Sequence, residues 1–265
     1  MLLNFNKLAS SLKKLKIKEK FILIHTDLHN YKLYAKNLDK FWKTILNSLG
    51  HNKTFIVPCF TTSFVKSKIW DKKNSKSQTG IFSEYFRKKI SNKRTNHPIH
   101  SVAIWGKNFK KIPEHNCKSS FGKGSTWQWI CNSKDVCNLS IGISIHGGAT
   151  ILHYPEELLG VKYRYYKKIS GKITLENGKK IKKNYFFFAR KIYKNKIITN
   201  KWERCEKDLI NSNILKKKIY FKKLILCKMN TNKATRFVLS KIKNDPNYLI
   251  TSKAKLFNKN SMSLG

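Results

Sequence analysis

The chain has 265 residues, 40% of them apolar and 33 aromatic, enough to fill a large core and to exclude a disordered chain. It carries 56 basic against 14 acidic residues, a formal charge of +42, yet only six of the basic residues are arginine. A reader of phosphates or bases uses arginine forks heavily, and no helix-turn-helix, zinc-finger or aromatic RNP pattern accompanies the charge, so the composition argues against specific nucleic-acid binding.

The first twenty residues lack a signal-peptide core and read as an amphipathic helix with Leu3, Leu8, Leu12 and Leu15 on its apolar face. FILIH (21–25) reads as a buried strand, and the polar TDLHNYK turn follows it. A helix is expected from about Ala35 to Leu49, where Leu38, Phe41, Trp42, Ile45 and Leu49 keep a helical period and Gly50 supplies the stop. TFIVPCF (54–60) is the second strand, and strand–helix–strand is the unit of a parallel sheet.

Residues 66–80 are polar and read as a long surface loop. A helix over 81–90, a strand over 101–106, the Gly-rich FGKGS (121–125) and a further helix follow. In the second half, strands are expected around 172–175 and 185–189, and a helix over 234–250. There is no internal repeat. One domain is expected over 1–257, with a loose tail at 258–265. No run approaches the roughly 18 apolar residues of a membrane span. The six cysteines show no C-x-x-C pair, so they read as reduced thiols of a cytoplasmic protein, mostly buried.

The most informative segment is ILHYPEELLGVKYR (151–164), which follows a strand-like run and a Gly-Gly turn. It holds the only His-x-x-Glu of the chain, His153 and Glu156. At the start of a helix this spacing puts both side chains on one face, where the carboxylate holds one imidazole nitrogen and leaves the other to take a proton. His25, His97 and His100 read as packing or hydrogen-bonding residues, and Trp127, Trp129 and Tyr163 as core. No His/Cys spacing suits a metal, and no cysteine sits in a nucleophile signature.

In order along the chain, FILIHTDL, TFIVPCFTTSF, TGIFSEYFRKKISNKRTNHPIHSVAIWG, SSFGKGSTWQWI, IGISIHGGATILHYPEELLGVKYR and the terminal NDPNY resemble the aminoglycoside N(3)-acetyltransferase family. The resemblance runs from about Leu8 to Ile250. It implies an α/β fold with a central mixed, largely parallel sheet flanked by helices. It also implies acetyl transfer from acetyl-CoA to a sugar amine. The family's catalytic histidine and its partner glutamate fall on His153 and Glu156. Its coenzyme-approaching loop falls on Thr26, Asp27 and Leu28, its arginine–histidine–serine segment on Arg94, His97 and Ser101, and its Gly-x-Gly-Ser loop on Gly122, Gly124 and Ser125. The chain departs from the family at Cys59 and Thr95, where small hydroxyl residues are usual in the first case and serine in the second. It also has no glycine between His25 and Gly50.

Acyl transfer to an amine needs a base, stabilisation of the thioester oxyanion and close positioning of both substrates. His153 and Glu156 suit the first. Backbone N–H groups around Gly147–Thr150, or the Thr61 hydroxyl beside the coenzyme, suit the second. The acceptor is then an amino sugar. The scarcity of carboxylates favours one carrying an anion, nucleotide-linked or a polysaccharide precursor, over the polycationic antibiotics of the alternative, aminoglycoside 3-N-acetylation in resistance. A basic nucleic-acid-binding protein is the reading from another class.

Overall fold

A computed structural model describes residues 3–31, 35–193, 196–220 and 224–251. The expected tail at 258–265 lies outside the described residues. Helix α1 (Phe5–Lys14) starts where the Asn4 side chain accepts the Lys7 amide at 3.0 Å, and it buries Leu8 and Leu12. The run FILIHT forms β1 (Phe21–Thr26), buried on both faces. Its residues alternate, as a strand's must: Phe21 and Leu23 enter one core, Ile22 and Ile24 the other. Helix α2 (Leu38–Leu49) lays Leu38, Phe41, Trp42 and Ile45 on the second of these cores, and Gly50 ends it at φ +106°. Strand β2 (Thr54–Pro58) returns parallel to β1.

The stretch 66–80 differs from the expected surface loop. It includes the end of α3 (Phe64–Ser67) and the strand β3 (Ile69–Asp71), and Trp70 is fully buried. The partner strand of β3 lies about a hundred residues further on, so nothing local marks it. Helix α4 (Ile81–Tyr85) runs into a π-helical turn over Phe86–Ile90. Then come β4 (Lys93–Arg94), β5 (Val102–Gly106), α5 (Thr126–Asn132) and β6 (Val136–Ile141). Short helices α6 (Ile145–Gly148) and α7 (His153–Leu158) precede a long antiparallel hairpin, β7 (Arg164–Thr174) and β8 (Lys180–Arg190). With β3 this hairpin makes a three-stranded sheet over a small core of Phe64, Trp70, Ile99, Ile169, Ile173 and Tyr185.

The two-residue strands β9 (Ile192–Tyr193) and β10 (Lys196–Ile197) pair with each other. Helix α8 (Trp202–Asn211) and the hairpin β11 (Leu215–Ile219)–β12 (Ile225–Asn230) have no counterpart in the expected elements. Strand β11 reads LKKKI, and only Leu215 is buried, because it lies at a sheet edge where lysines discourage further pairing. Helix α9 spans Thr231–Asn244, shorter than expected, because Asp245 precedes a proline and is extended.

The main sheet has seven strands in the order β11-β12-β6-β1-β2-β5-β4. It is the expected mixed sheet flanked by helices. Its parallel part is its centre: β1 runs parallel to β2 and β6, and the outer pairs are antiparallel. One face carries α1, α2 and α4, the other α5, α7, α8 and α9. No helix among the described residues is long and apolar enough to cross a membrane. The chain leaves β1 and β6 on the same edge, where Asp27 N–H bonds the Ile141 carbonyl at 3.0 Å. Open α/β sheets place ligands at this carboxyl edge.

Candidate active site

Helix α7 begins at His153, and Pro155 sits in its first turn, where no intrahelical N–H bond is lost. Gly160 at φ +57° turns the chain after the helix and sends it into β7. The three-residue spacing puts His153 and Glu156 together as expected: Nδ1 lies 2.5 Å from Oε2. Glu156 is fully buried, whereas the His153 side chain is 27% exposed.

Four groups converge on the Glu156 carboxylate. His153 and Arg164 Nη2, at 3.0 Å, meet Oε2, while the Tyr163 hydroxyl (2.9 Å) and the Asn200 amide (2.8 Å) donate to Oε1. Burial alone would raise this carboxyl, but Arg164, His153 and Asn200 hold it down at about 2. Glu156 is therefore an acceptor only, which fixes the proton of His153 on Nδ1 and leaves Nε2 with its lone pair. Arg164 Nη2 also lies 3.3 Å from Nδ1, but two donors cannot bond each other, so that contact is electrostatic. Burial lowers the His153 pKa against the pull of Glu156, and Arg164 and Arg190 lower it further. The imidazole is neutral at pH 7.

His153 opens on a cavity of about 460 Å³ between α7 and the β7–β8 hairpin, walled by Phe121, Arg164, Phe187, Phe188 and Arg190. His100 and Ser120 close its floor, joined at 2.6 Å between Nδ1 and Oγ. The volume suits a drug-sized ligand.

The other expected site residues fall into three groups. Arg94, Thr61 and Ser101 are buried together: Arg94 donates to the Thr61 and Ser101 hydroxyls and to the Cys59, Lys72 and Ser75 carbonyls. Thr61 donates in turn to the Lys76 carbonyl and Ser101 to that of Cys59, so neither hydroxyl proton is left for an oxyanion. His97 is buried against His115 and Tyr185 and accepts the His100 amide. The cluster ties β2, β4 and the 66–80 segment into one unit. Thr26 and Asp27 reach the carboxyl edge of the sheet, where Asp27 caps the His29 amide, whereas Leu28 is buried in the core under α2. Gly124 and Ser125 line a separate cleft with Glu114 and Trp129, and Ser125 caps α5 through the Gln128 amide. His153 does not line that cleft.

Tyr163, Arg164, Arg190 and Asn200 were not singled out from the sequence as site residues. Tyr163 is core, as expected, but its hydroxyl serves Glu156. Arg164 ends the informative segment, yet no helical spacing links it to Glu156 because the chain turns between them. Arg190 ends β8, one residue beyond the strand expected around 185–189, and Asn200 lies outside any helix or named strand, so neither carries a local signal.

A sequence-family model described as aminoglycoside 3-N-acetyltransferase matches residues 23–240. A search of curated proteins finds no match. Among solved structures, sisomicin-bound AAC-VIa superposes with a TM-score of 0.74 at 15% identity, covering 92% of this chain and 99% of that one. The YokD protein from Bacillus subtilis gives 0.75 at 16% identity, with coverage of 93% and 96%. AAC-IIIb in binary complex with CoASH gives 0.74 at 14%, with coverage of 92% and 97%. At such identities these structures show a shared fold. The family match spans most of the chain, including the His153–Glu156 pair at the cavity wall, and so the chain belongs to the aminoglycoside 3-N-acetyltransferase family and is an acyltransferase.

Proposed function

We propose that this protein moves the acetyl group of acetyl-CoA to an amine of an amino sugar by direct attack on the thioester, with His153 as the base. The observation that carries this reading is the 2.5 Å contact of His153 Nδ1 with a fully buried Glu156 at the wall of a ligand-sized cavity. The amine nitrogen bonds to the thioester carbon, and its proton passes to Nε2. Glu156 and its donors steady the imidazolium that forms. The tetrahedral intermediate then expels the CoA sulfur, which takes the proton from Nε2, and the histidine is neutral again. No covalent enzyme intermediate is needed.

Acetyl-CoA as donor is supported by family membership and by the relative solved with CoASH. Thr26 and Asp27, at the carboxyl edge of β1, and Gly124 and Ser125, in their cleft, remain the coenzyme contacts of this proposal. Leu28 packs in the core beneath the Asp27 loop, whereas Thr61, Arg94 and Ser101 hold the 66–80 segment to β2 and β4, and they and His97 are not coenzyme contacts in this proposal. The reaction takes place in the cytoplasm, where free cysteines such as Cys117 stay reduced. A second reading, 3-N-acetylation of aminoglycoside antibiotics, is favoured by the relative bound to sisomicin. The test is thiol release from acetyl-CoA against a panel of amines, with His153→Ala as control. Thiol release that is independent of any amine, or unchanged in the variant, overturns the proposal.

A further inference from the structure

All 14 acidic residues of the chain lie among the described residues, so the place of every carboxylate is known. None lines the cavity in front of His153. Glu156 lies behind the histidine with both oxygens taken. Glu157 is buried and accepts the Phe121 amide. The acidic pair on α8, Glu203 and Glu206, faces His146 and Lys217.

Three cationic residues do line the cavity: Arg164, Lys167 and Arg190. Arg164 and Arg190 are direct cross-strand partners at the base of the β7–β8 hairpin. Like charges in that position repel unless an anion lies between or beside them. Arg164 has Glu156 at 3.0 Å. Arg190 has only a neutral partner, the Asn200 side-chain oxygen at 2.6 Å, and among the described residues no carboxylate lies within ion-pair distance of it. Burial lowers the pKa of the Arg190 guanidinium and Arg164 lowers it further, against a smaller upward pull from Glu156, which it meets only through Asn200. Phe121, Phe187 and Phe188 give the same cavity apolar walls, so the charge is poorly screened.

We infer that the cavity before His153 takes an amino sugar carrying a phosphate, with Arg190 holding the anion while the amine faces Nε2, and that polycationic aminoglycosides are poor acceptors. This rests on the N-acetyl transfer reading for the placement of the amine. The charge of the occupant follows from the walls alone. A multiply charged ammonium ligand entering here meets three cations and no accessible carboxylate, whereas a phosphate supplies the direct ion pair that Arg190 lacks among the described residues.

Glucosamine 6-phosphate and glucosamine differ only in the phosphate, which makes them a matched pair, with kanamycin as the polycation. In thiol release from acetyl-CoA, kcat/KM should fall in the order phosphorylated sugar, plain sugar, kanamycin, and the phosphate advantage should shrink with added salt. Arg190→Gln should raise KM for glucosamine 6-phosphate about 10–100-fold, the worth of a charge-assisted contact, while Arg190→Lys keeps most of the preference. Acetyl-CoA is itself an anion, so its KM is measured in the same variants. A rise in the KM of acetyl-CoA in place of that of the sugar would assign Arg190 to the coenzyme and overturn the inference. A preference for kanamycin, or glucosamine acetylated as well as its phosphate, would also overturn it while leaving N-acetyl transfer intact. Calorimetric titration with glucosamine 6-phosphate in the absence of acetyl-CoA separates the two claims. Binding that Arg190→Gln abolishes, with no thiol release for any amine, would keep the anion site and remove the transfer.

Discussion

Glu156 stays ionised without contact with water because four donors surround it, and its charge is what makes His153 a base. His153→Ala should therefore cost about 10²–10⁴ in turnover with little change in acetyl-CoA affinity. Steady-state kinetics with saturating donor checks this, and unchanged turnover would remove His153 from the role. Glu156→Gln should lower turnover less, because the imidazole remains. It should also destabilise the fold, since Arg164 is then left buried without its carboxylate, a change typically worth about 3–5 kcal/mol. Denaturant titration measures that loss. The His153 pKa is lowered from the ordinary histidine value, so the acidic limb of kcat/KM should fall below pH ~6.5. An acidic limb at or above that value would mean that burial does not govern the base. The spacing of His153 and Glu156 was legible because a helix turn is local. The donors around the carboxylate were not, because Tyr163 and Arg164 come back to it only after the turn at Gly160 and Asn200 comes from a remote segment.

At the scale of elements, the sequence showed where apolar periodicity was clean and failed where lysines masked it. Strand β1, helix α2 and strand β2 sit close to their expected positions. The β7–β8 hairpin was seen only in part, since its exposed face is a run of lysines, and β3 was hidden because its partner is remote. The junction of β1 and β6 depends on one glycine. Gly142 has φ +80°, and a Cβ there would lie 2.0 Å from the Asp27 carbonyl oxygen. Gly142→Ala must push the Asp27 loop away from the sheet edge, at a cost of about 1–3 kcal/mol. Because that loop is the proposed coenzyme contact, KM for acetyl-CoA should rise more than KM for the acceptor. An equal effect on both would take the loop out of coenzyme binding.

On the scale of the whole molecule, the histidines set the acid limit. Burial holds His25 and His115 at about 4 and His100 at about 3. The unfolded chain takes up these protons near pH ~6.5, so it binds more protons than the folded one below that value. Stability is therefore full above pH ~6.5 and lost as pH falls toward the folded values, by roughly tenfold in the unfolding equilibrium per histidine per pH unit. Thermal melts from pH 7 to 4.5 should show a steady fall in Tm, and a flat profile would show these rings already charged. The charge of +42 should also bind nucleic acid loosely, with the binding gone by moderate salt. Sequence-dependent binding that survives near-physiological salt would favour a nucleic-acid-binding protein. CoA should raise the Tm, and no shift at millimolar concentration would count against acetyl-CoA as donor.

By itself the sequence determined the central βαβ unit and the His153–Glu156 pair. Both follow from apolar runs and a 3.6-residue period within one segment, whereas the two apolar cores on either face of the sheet came with the fold. Tertiary structure alone decided that Arg94 clamps a scaffold, that Thr61 has no proton to give, and that Arg164, Tyr163 and Asn200 meet on one carboxylate. It also decided that Arg190 faces a cavity without a carboxylate. Net charge is a sum over the chain, but the field at a reacting nitrogen depends on which few charges folding brings within several ångströms of it.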